Sequence, residues 1–224
     1  MTSNKKIGRI AGALLLFIFI SGITVFQFLQ SSILSSKEYV TLASENENQL
    51  ILSTILGFLS GIASIIVAVI LFPIFKKNNY NLALLYIAFC VVNFVAILLD
   101  NYGVVSMLEI SKISLENTGE QPKSFQIIKT LLFEKHIWTH YFYLLISCFP
   151  VFVLYYTLFV SKLIPRVLSV FGVFAVVLMF VQILATILNK SISMNLMIPI
   201  ALIQFIFPIW LLVKGLKSSE LKHQ

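Results

Sequence analysis

The sequence predicts an all-α integral membrane protein, six transmembrane helices in one bundle, and three observations lead there. Hydrophobic residues make up 59% of the chain and charged residues only 11%, whereas a soluble domain is about a quarter charged. The apolar residues arrive in six blocks, each long enough to cross a ~30 Å hydrocarbon layer, which takes roughly 20 residues of helix. Basic residues gather in alternate connections between the blocks, as a positive-inside topology requires. Strict period-2 alternation is absent, so the spans are helices and not barrel strands.

The first block, about residues 7–29, follows Lys5, Lys6 and Arg9. Its apolar stretch is longer than the roughly 7–15 residues of a signal h-region and no A-x-A site follows, so an uncleaved first helix is expected. The segment SENE, Ser44 to Glu47, has capping-box spacing ahead of the second block, about 50–75. Within that block Ser53, Gly57, Ser60 and Ser64 share one face, with Gly61 beside them, and the first block carries Gly8 and Gly12. Stripes of small residues let helix backbones approach closely in lipid, inside a bundle or across an oligomer face.

The short turn KKNNYN makes the second and third blocks (the third about 82–106) an antiparallel pair. A long connection follows, Met107 to His136, whose first part, EISKISLENTGEQPKS, reads as exposed loop. Its second part places Phe125, Ile128, Leu131 and Leu132 on one arc and Gln126, Lys129 and Thr130 on the other. That pattern suits a short interfacial helix over about 123–134, or an extension of the fourth helix into water. The fourth block, about 137–160, turns through VSKLIPR into the fifth, about 167–188, and the sixth spans about 194–213. Pro150 in the fourth, and Pro199 and Pro208 in the sixth, are expected to bend their helices. Cys90 and Cys148 lie inside spans, so neither a disulfide nor a cysteine metal site is expected.

Charge sets the expected orientation. With the N-terminus in the cytoplasm, Lys5, Lys6, Arg9, Lys76, Lys77, Lys162, Arg166, Lys214, Lys217 and Lys222 all fall inside, and of the acids only Glu220 does. Both termini are then cytoplasmic, in the inner membrane of a bacterium. The juxtamembrane basic residues suit the lipid bilayer and its anionic head groups. No contiguous basic face exists for a nucleic acid.

Polar residues inside the spans are the candidates for function. On the fourth helix His136, His140, Tyr143 and Ser147 follow i, i+4, i+7, i+11 and face one direction. On the third, Asn93 and Asp100 share a face, with Asn101 beside them, and the fifth adds Gln182 and Asn189. An ionisable group within a span is costly and points to function. Asp100, His136 and His140 are therefore the candidate catalytic or metal-ligating residues, the rest candidates for lining a ligand pocket. Two histidines and a carboxylate suffice for a divalent metal with open positions, which would activate water against a lipid ester or amide. The competing explanation places the histidines, with Trp138, Tyr141 and Tyr143, in an aromatic interface belt where nothing makes them converge. The HxxxH spacing lacks the Glu of H-E-x-x-H, and His223 falls on the opposite side of the membrane. Phosphate-cradling loops, dinucleotide fingerprints and nucleophile elbows are absent, and no cofactor beyond that divalent metal is implied.

Three stretches, RIAGALLLFIFISGI near the start, LIPRVLSVFGV before the fifth span and WLLVKGLK at the end, together resemble a bacterial multi-pass family, the domain of unknown function 4386. The resemblance covers essentially the whole chain and implies the six-helix fold and a histidine near the start of the fourth span, matched by His136 or His140. It implies no activity. The segment ISLENTGEQPKS has no counterpart in the resemblance. The expectation is thus one membrane domain over 1–224 with an outer-facing polar site. It would bind a lipid or small amphiphile, or assist a membrane partner or a second copy, without being an enzyme. A metal-dependent hydrolase and a small-solute permease are the alternatives.

Overall fold

The computed structural model describes residues 3–36, 39–116, 122–190 and 192–217, with no strand among them. Lys37, residues 117–121 of the long connection, Glu220, Lys222 and His223, on which some expectations above rest, lie outside the described residues. Six helical stretches are long and apolar enough to cross a membrane, so the chain is a multi-pass membrane protein. The first runs as α1 (Ser3–Ile23), a π-helical segment (Thr24–Gln30) and the short α2 (Ser31–Leu34). The connector α3 (Tyr39–Glu45) leads into α4 (Glu47–Phe75), α5 (Tyr80–Glu116), α6 (Lys123–Ser161) and α7 (Arg166–Ile187). A 3-10 turn (Met194–Met197) then opens α8 (Ile198–Lys214).

Each long helix packs on the next in sequence, and α1 packs on both α4 and α8, an order that closes into a ring. The closure is made by small residues. A Cβ on Gly12 would sit 2.8 Å from Leu211 Cβ and from the Pro208 carbonyl oxygen, and one on Gly8 only 2.5 Å from Leu216 N. The chain then leaves α8 through Gly215, whose φ of 68° is left-handed and whose missing Cβ leaves room for Lys5 O. Arg9 donates to Val213 O at 3.2 Å, and Lys217 N donates to Leu163 O at 3.0 Å, tying the last turn to the α6–α7 connection.

Two apolar cores occupy opposite ends. The larger, at the end where α1 begins and α8 finishes, draws on all six spans, among them Ala11, Leu71, Phe75, Tyr86, Tyr155, Val176 and Phe207. Gly172 admits the Tyr155 ring there, since a Cβ at that position would lie 2.3 Å from Tyr155 Cδ1. The smaller core joins Ile33, Leu34, Tyr39, Ala43 and Leu50 to Val104, Met107, Leu108 and Ile110, with Phe125, Leu132 and Phe133 of α6 against it. Tyr39 fixes this cap by donating its hydroxyl to Lys129 O at 2.9 Å while its ring stacks on Phe133. Ser111 bonds Val40 O, and Lys112 pairs with Glu47 and, at 3.5 Å, with Glu109.

The smaller core explains where the structure departs from expectation. Over its described first part, 107–116, the connection after Met107 is helix and not loop: α5 continues to Glu116, and at ~1.5 Å per residue its 37 residues reach far beyond a ~30 Å hydrocarbon layer. Of the two readings of 123–134, the structure has the extension of the fourth helix and not a separate interfacial helix: the segment forms the first turns of α6. Met107, Leu108 and Ile110 of α5 bury against α2 and α3, and Phe125, Leu132 and Phe133 of α6 pack partly buried on the same core, while Ile113, Leu115, Ile127, Ile128 and Leu131 stay exposed. The capping box is not formed either. Asn46 takes the N-cap of α4 without a side-chain bond, and Ser44 turns its hydroxyl back to Thr41 O at 2.8 Å. Pro199 does not bend the sixth span but starts α8, a position where its missing N–H costs nothing, while Pro73, Pro150 and Pro208 do lie inside helices.

Candidate functional site

Between the two cores lies a polar layer. Along α5, Cys90 belongs to the larger core and Val104 to the smaller, and Asn93 and Asp100 fall between them. Along α6, Phe133 packs on the smaller core and Cys148 in the larger, with His136, His140 and Tyr143 between. Helical spacing puts each set on one face, and the antiparallel packing of α5 on α6 turns the two faces toward each other.

The three ionisable candidates converge. His140 Nδ1 lies 3.1 Å from Asp100 Oδ2, and His136 Nδ1 lies 3.7 Å from Asp100 Oδ1. The first distance is a hydrogen bond, with the imidazole N–H donating to the carboxylate, and the second is too long for one. Asp100 and His136 are each 7% exposed. Burial without full pairing is the notable feature here: Asp100 Oδ1, His136 Nδ1, His140 Nε2 and Asn93 Oδ1 all lack a hydrogen-bond partner. A buried polar atom left so costs about 1–3 kcal/mol, and native proteins keep such groups where a ligand, water or reaction needs them.

The other sequence candidates divide. Tyr143 stays with the layer, its ring centroid 6.0 Å from that of His140. Ser147 spends its hydroxyl on Leu144 O of its own helix at 2.7 Å. Gln182 is buried with Oε1 unpartnered, its amide nitrogen 3.9 Å from Met194 Sδ, and no contact joins it to Asp100. Asn189 is exposed and caps α7: with φ of 54° it occupies the left-handed position of a Schellman motif, in which Lys190 N bonds Ala185 O at 2.8 Å. The small residues of α4 are taken up by its neighbours. Ser53 receives Gln30 Nε2 at 2.9 Å, Gly57 faces the Asn101 amide, Gly61 faces Phe94, Ser60 is buried without a partner, and Ser64 lies beside the Cys90 thiol.

Two parts of the site went unseen in the sequence. Gly103, one turn along from Asp100, lets α6 approach: its Cβ would stand 3.2 Å from His136 Nδ1 and 3.3 Å from Thr139 Oγ1. Phe26 stacks on the His140 ring, centroids 5.3 Å apart and planes 6° from parallel. It is carried by the π segment, a wide helical turn of a kind frequent at functional sites. Gln49 stabilises that segment by donating to the carbonyls of Phe28 and Leu29, both at 3.1 Å. Glycine at i+3 from a buried aspartate was a usable signal; a π turn leaves none in the sequence.

Among the described residues no group of three or more His, Cys, Asp or Glu is spaced to hold a metal ion. Nor does a hydroxyl nucleophile meet His140 Nε2, since Thr139 is bonded to His136 O at 2.9 Å. Neither of two surface concavities, of ≈ 430 Å³ beside Val167 and Phe174 and ≈ 250 Å³ beside Tyr39 and Phe133, is lined by a residue of the layer. The family model described as Domain of unknown function (DUF4386) matches residues 10–215, and the chain belongs to that family. No curated protein and no solved structure matches.

Proposed function

We propose that this DUF4386 member is a membrane component that binds a lipid or small amphiphile, with the polar end of the ligand at the layer of Asp100, His136 and His140. One observation carries the reading: a carboxylate held between two imidazoles inside the bundle, with a lone pair on Asp100 Oδ1 and a ring nitrogen on His140 left unpartnered. Phe26 is the way in. It covers His140 yet is itself 46% exposed on the lipid-facing surface, so a head group that displaces this ring reaches the layer while its chains stay in the bilayer. Charge placement supports an orientation with both termini cytoplasmic and the layer toward the outer side of a bacterial inner membrane. Anionic head groups then meet the basic termini end.

A photoactivatable lipid carrying its diazirine near the glycerol tests the proposal. Labelling at Phe26, His140 or Tyr143, falling sharply in Asp100→Asn, is expected; labelling spread evenly over the outer surface and indifferent to Asp100 refutes it. A second reading has one observation in its favour. A histidine whose Nδ1 is held by a carboxylate while Nε2 stays free is how metal-ligating histidines are oriented, as a metal-dependent hydrolase would need. Near one zinc, iron or manganese ion per purified chain, lost in both His136→Ala and His140→Ala, would favour it.

A further inference from the structure

The unpartnered atoms of the layer have a chemical sense. Asp100 carries the formal negative charge, and among the described residues its ion-pair contacts are with His136 and His140 alone. No lysine or arginine is among them: Lys135, on the same helix as the histidines, lies over the exposed Tyr102 ring, 4.7 Å from its centroid. With the His140 proton on Nδ1 and engaged by Asp100 Oδ2, its Nε2 offers a lone pair, and so does Asp100 Oδ1. Beside the negative charge, Asp100 Oδ1 is an open acceptor, and His136 Nδ1, 3.7 Å from it, is a second when the His136 proton is on Nε2; two aromatic rings, Phe26 and Tyr143, border His140. An anionic phosphate or carboxylate brought here would meet lone pair with lone pair. A cation carrying N–H groups meets the carboxylate charge and the open lone pair of Asp100 Oδ1.

We infer that the layer is a site for a protonated amine, an ammonium bearing N–H donors, supplied by an ethanolamine-type lipid head group or by a free amine. This rests on the ligand-binding reading above and specifies its ligand class. Asp100 Oδ1 accepts from the ammonium while His140, through Nδ1–H, holds Oδ2 in place. Asn93, on the same face of α5 with its Oδ1 open, is the next acceptor along that helix. A quaternary ammonium keeps the charge but has no proton to give, so the site distinguishes the two.

The test is retention of defined lipids by the full chain in a neutral detergent, read by native mass spectrometry. The probes are phosphatidylethanolamine, phosphatidylcholine and phosphatidylglycerol with identical acyl chains. The wild type is expected to retain the ethanolamine lipid about ten-fold over the glycerol lipid, the scale of one charge-assisted hydrogen bond, with the choline lipid well below the ethanolamine one. Asp100→Asn and, separately, His140→Gln bring the ethanolamine-to-glycerol ratio near one. The ratio is taken within each protein, so general loss of binding does not imitate loss of selectivity, and the wild-type ratio is decisive even if a variant does not fold. Competition by free ethanolamine assigns the source: displacement of the lipid means free amines are also accepted, and no displacement means a lipid head group. Equal or greater retention of the glycerol lipid, lowered in Asp100→Asn, overturns the ammonium and leaves the lipid site standing. Retention of all three lipids at the same level in wild type and both variants overturns both.

Discussion

Asp100 faces two histidines at different distances, and the difference makes a quantitative prediction. His140 is within hydrogen-bond range at 3.1 Å and His136 is outside it at 3.7 Å. Interhelical hydrogen bonds inside membranes average about 0.6 kcal/mol and reach roughly 1.7, and bonds with an ionised partner lie at the upper end of their class. The coupling of Asp100 to His140 should then be about 1–2 kcal/mol, and that of Asp100 to His136 below about 0.5 kcal/mol, in the range left to an unbonded neighbour. The measurement is a pair of double-mutant cycles, Asp100→Asn with His140→Gln and Asp100→Asn with His136→Gln, followed by reversible unfolding in mixed micelles of increasing dodecyl sulfate. Asn and Gln hold the volumes nearly constant, which keeps cavity terms small. Equal couplings, or a larger one for His136, would refute the assignment of His140 as the bonded partner. Zero coupling in both cycles would refute the layer as an interacting unit.

Three further outcomes follow from contacts elsewhere. In a glycine-to-alanine series, Gly172→Ala should destabilise most, by about 1–3 kcal/mol of overpacking, because its Cβ would overlap the buried Tyr155 ring at 2.3 Å. Gly103→Ala should cost less, its nearest atom being 3.2 Å away, and Gly22→Ala, with nothing within 4 Å, should stabilise slightly; thermal unfolding of the three variants checks the order. Phe26→Ala should speed carbethoxylation of His140 in the purified protein without changing that of His136, as peptide mapping would show; an unchanged His140 rate would mean Phe26 is not its cover. For orientation, Lys77→Cys and Glu109→Cys mark opposite ends of the bundle, with Cys90 and Cys148 buried. An impermeant maleimide added to whole cells should label position 109 and spare 77, and the reverse pattern would invert the topology.

What the sequence could show was what depends on local pattern. Six apolar blocks, their short turns and the helical spacing of Asp100, His136 and His140 are one-dimensional facts, and each is found in the structure where the pattern puts it. The long connection misled because mean hydropathy falls after Met107, and falling hydropathy looks the same for a loop and for a helix that has left the membrane. What distinguishes them is the partner, the α2–α3 connector, whose Ile33, Leu34, Tyr39 and Ala43 bury Val104, Met107 and Leu108. Asn189 misled for a related reason. A polar residue near a span's end serves equally as a pocket wall or as a left-handed helix cap, and only φ separates the two.

The polar layer and the joint that closes the ring lie at different ends of the bundle, and this bears on how the fold and the proposed site are coupled. Arg9 and Gly12 of the first stretch with Gly8 just before it, Leu163 of the second, and Val213, Gly215 and Lys217 of the third all meet in one joint, where α1 closes on α8 and the last turn reaches the α6–α7 connection. None of these residues touches Asp100 or either histidine. These residues form the latch that closes the ring. The layer, in turn, draws on the π segment, α5 and α6, and it is bounded above by a core to which, among the described residues, α7 and α8 contribute nothing. A ligand displacing Phe26 would disturb the π segment and the Gln30–Ser53 and Gln49 contacts beside it, but the latch at the far end of α1 holds the ring shut meanwhile. Opening is then confined to one half of one helix. Breaking the latch instead, with Gly12→Leu, should lower the unfolding temperature of the whole bundle while leaving the ethanolamine-to-glycerol lipid ratio of the surviving folded fraction unchanged. A ratio that collapses along with the latch would show that the two ends are one cooperative unit.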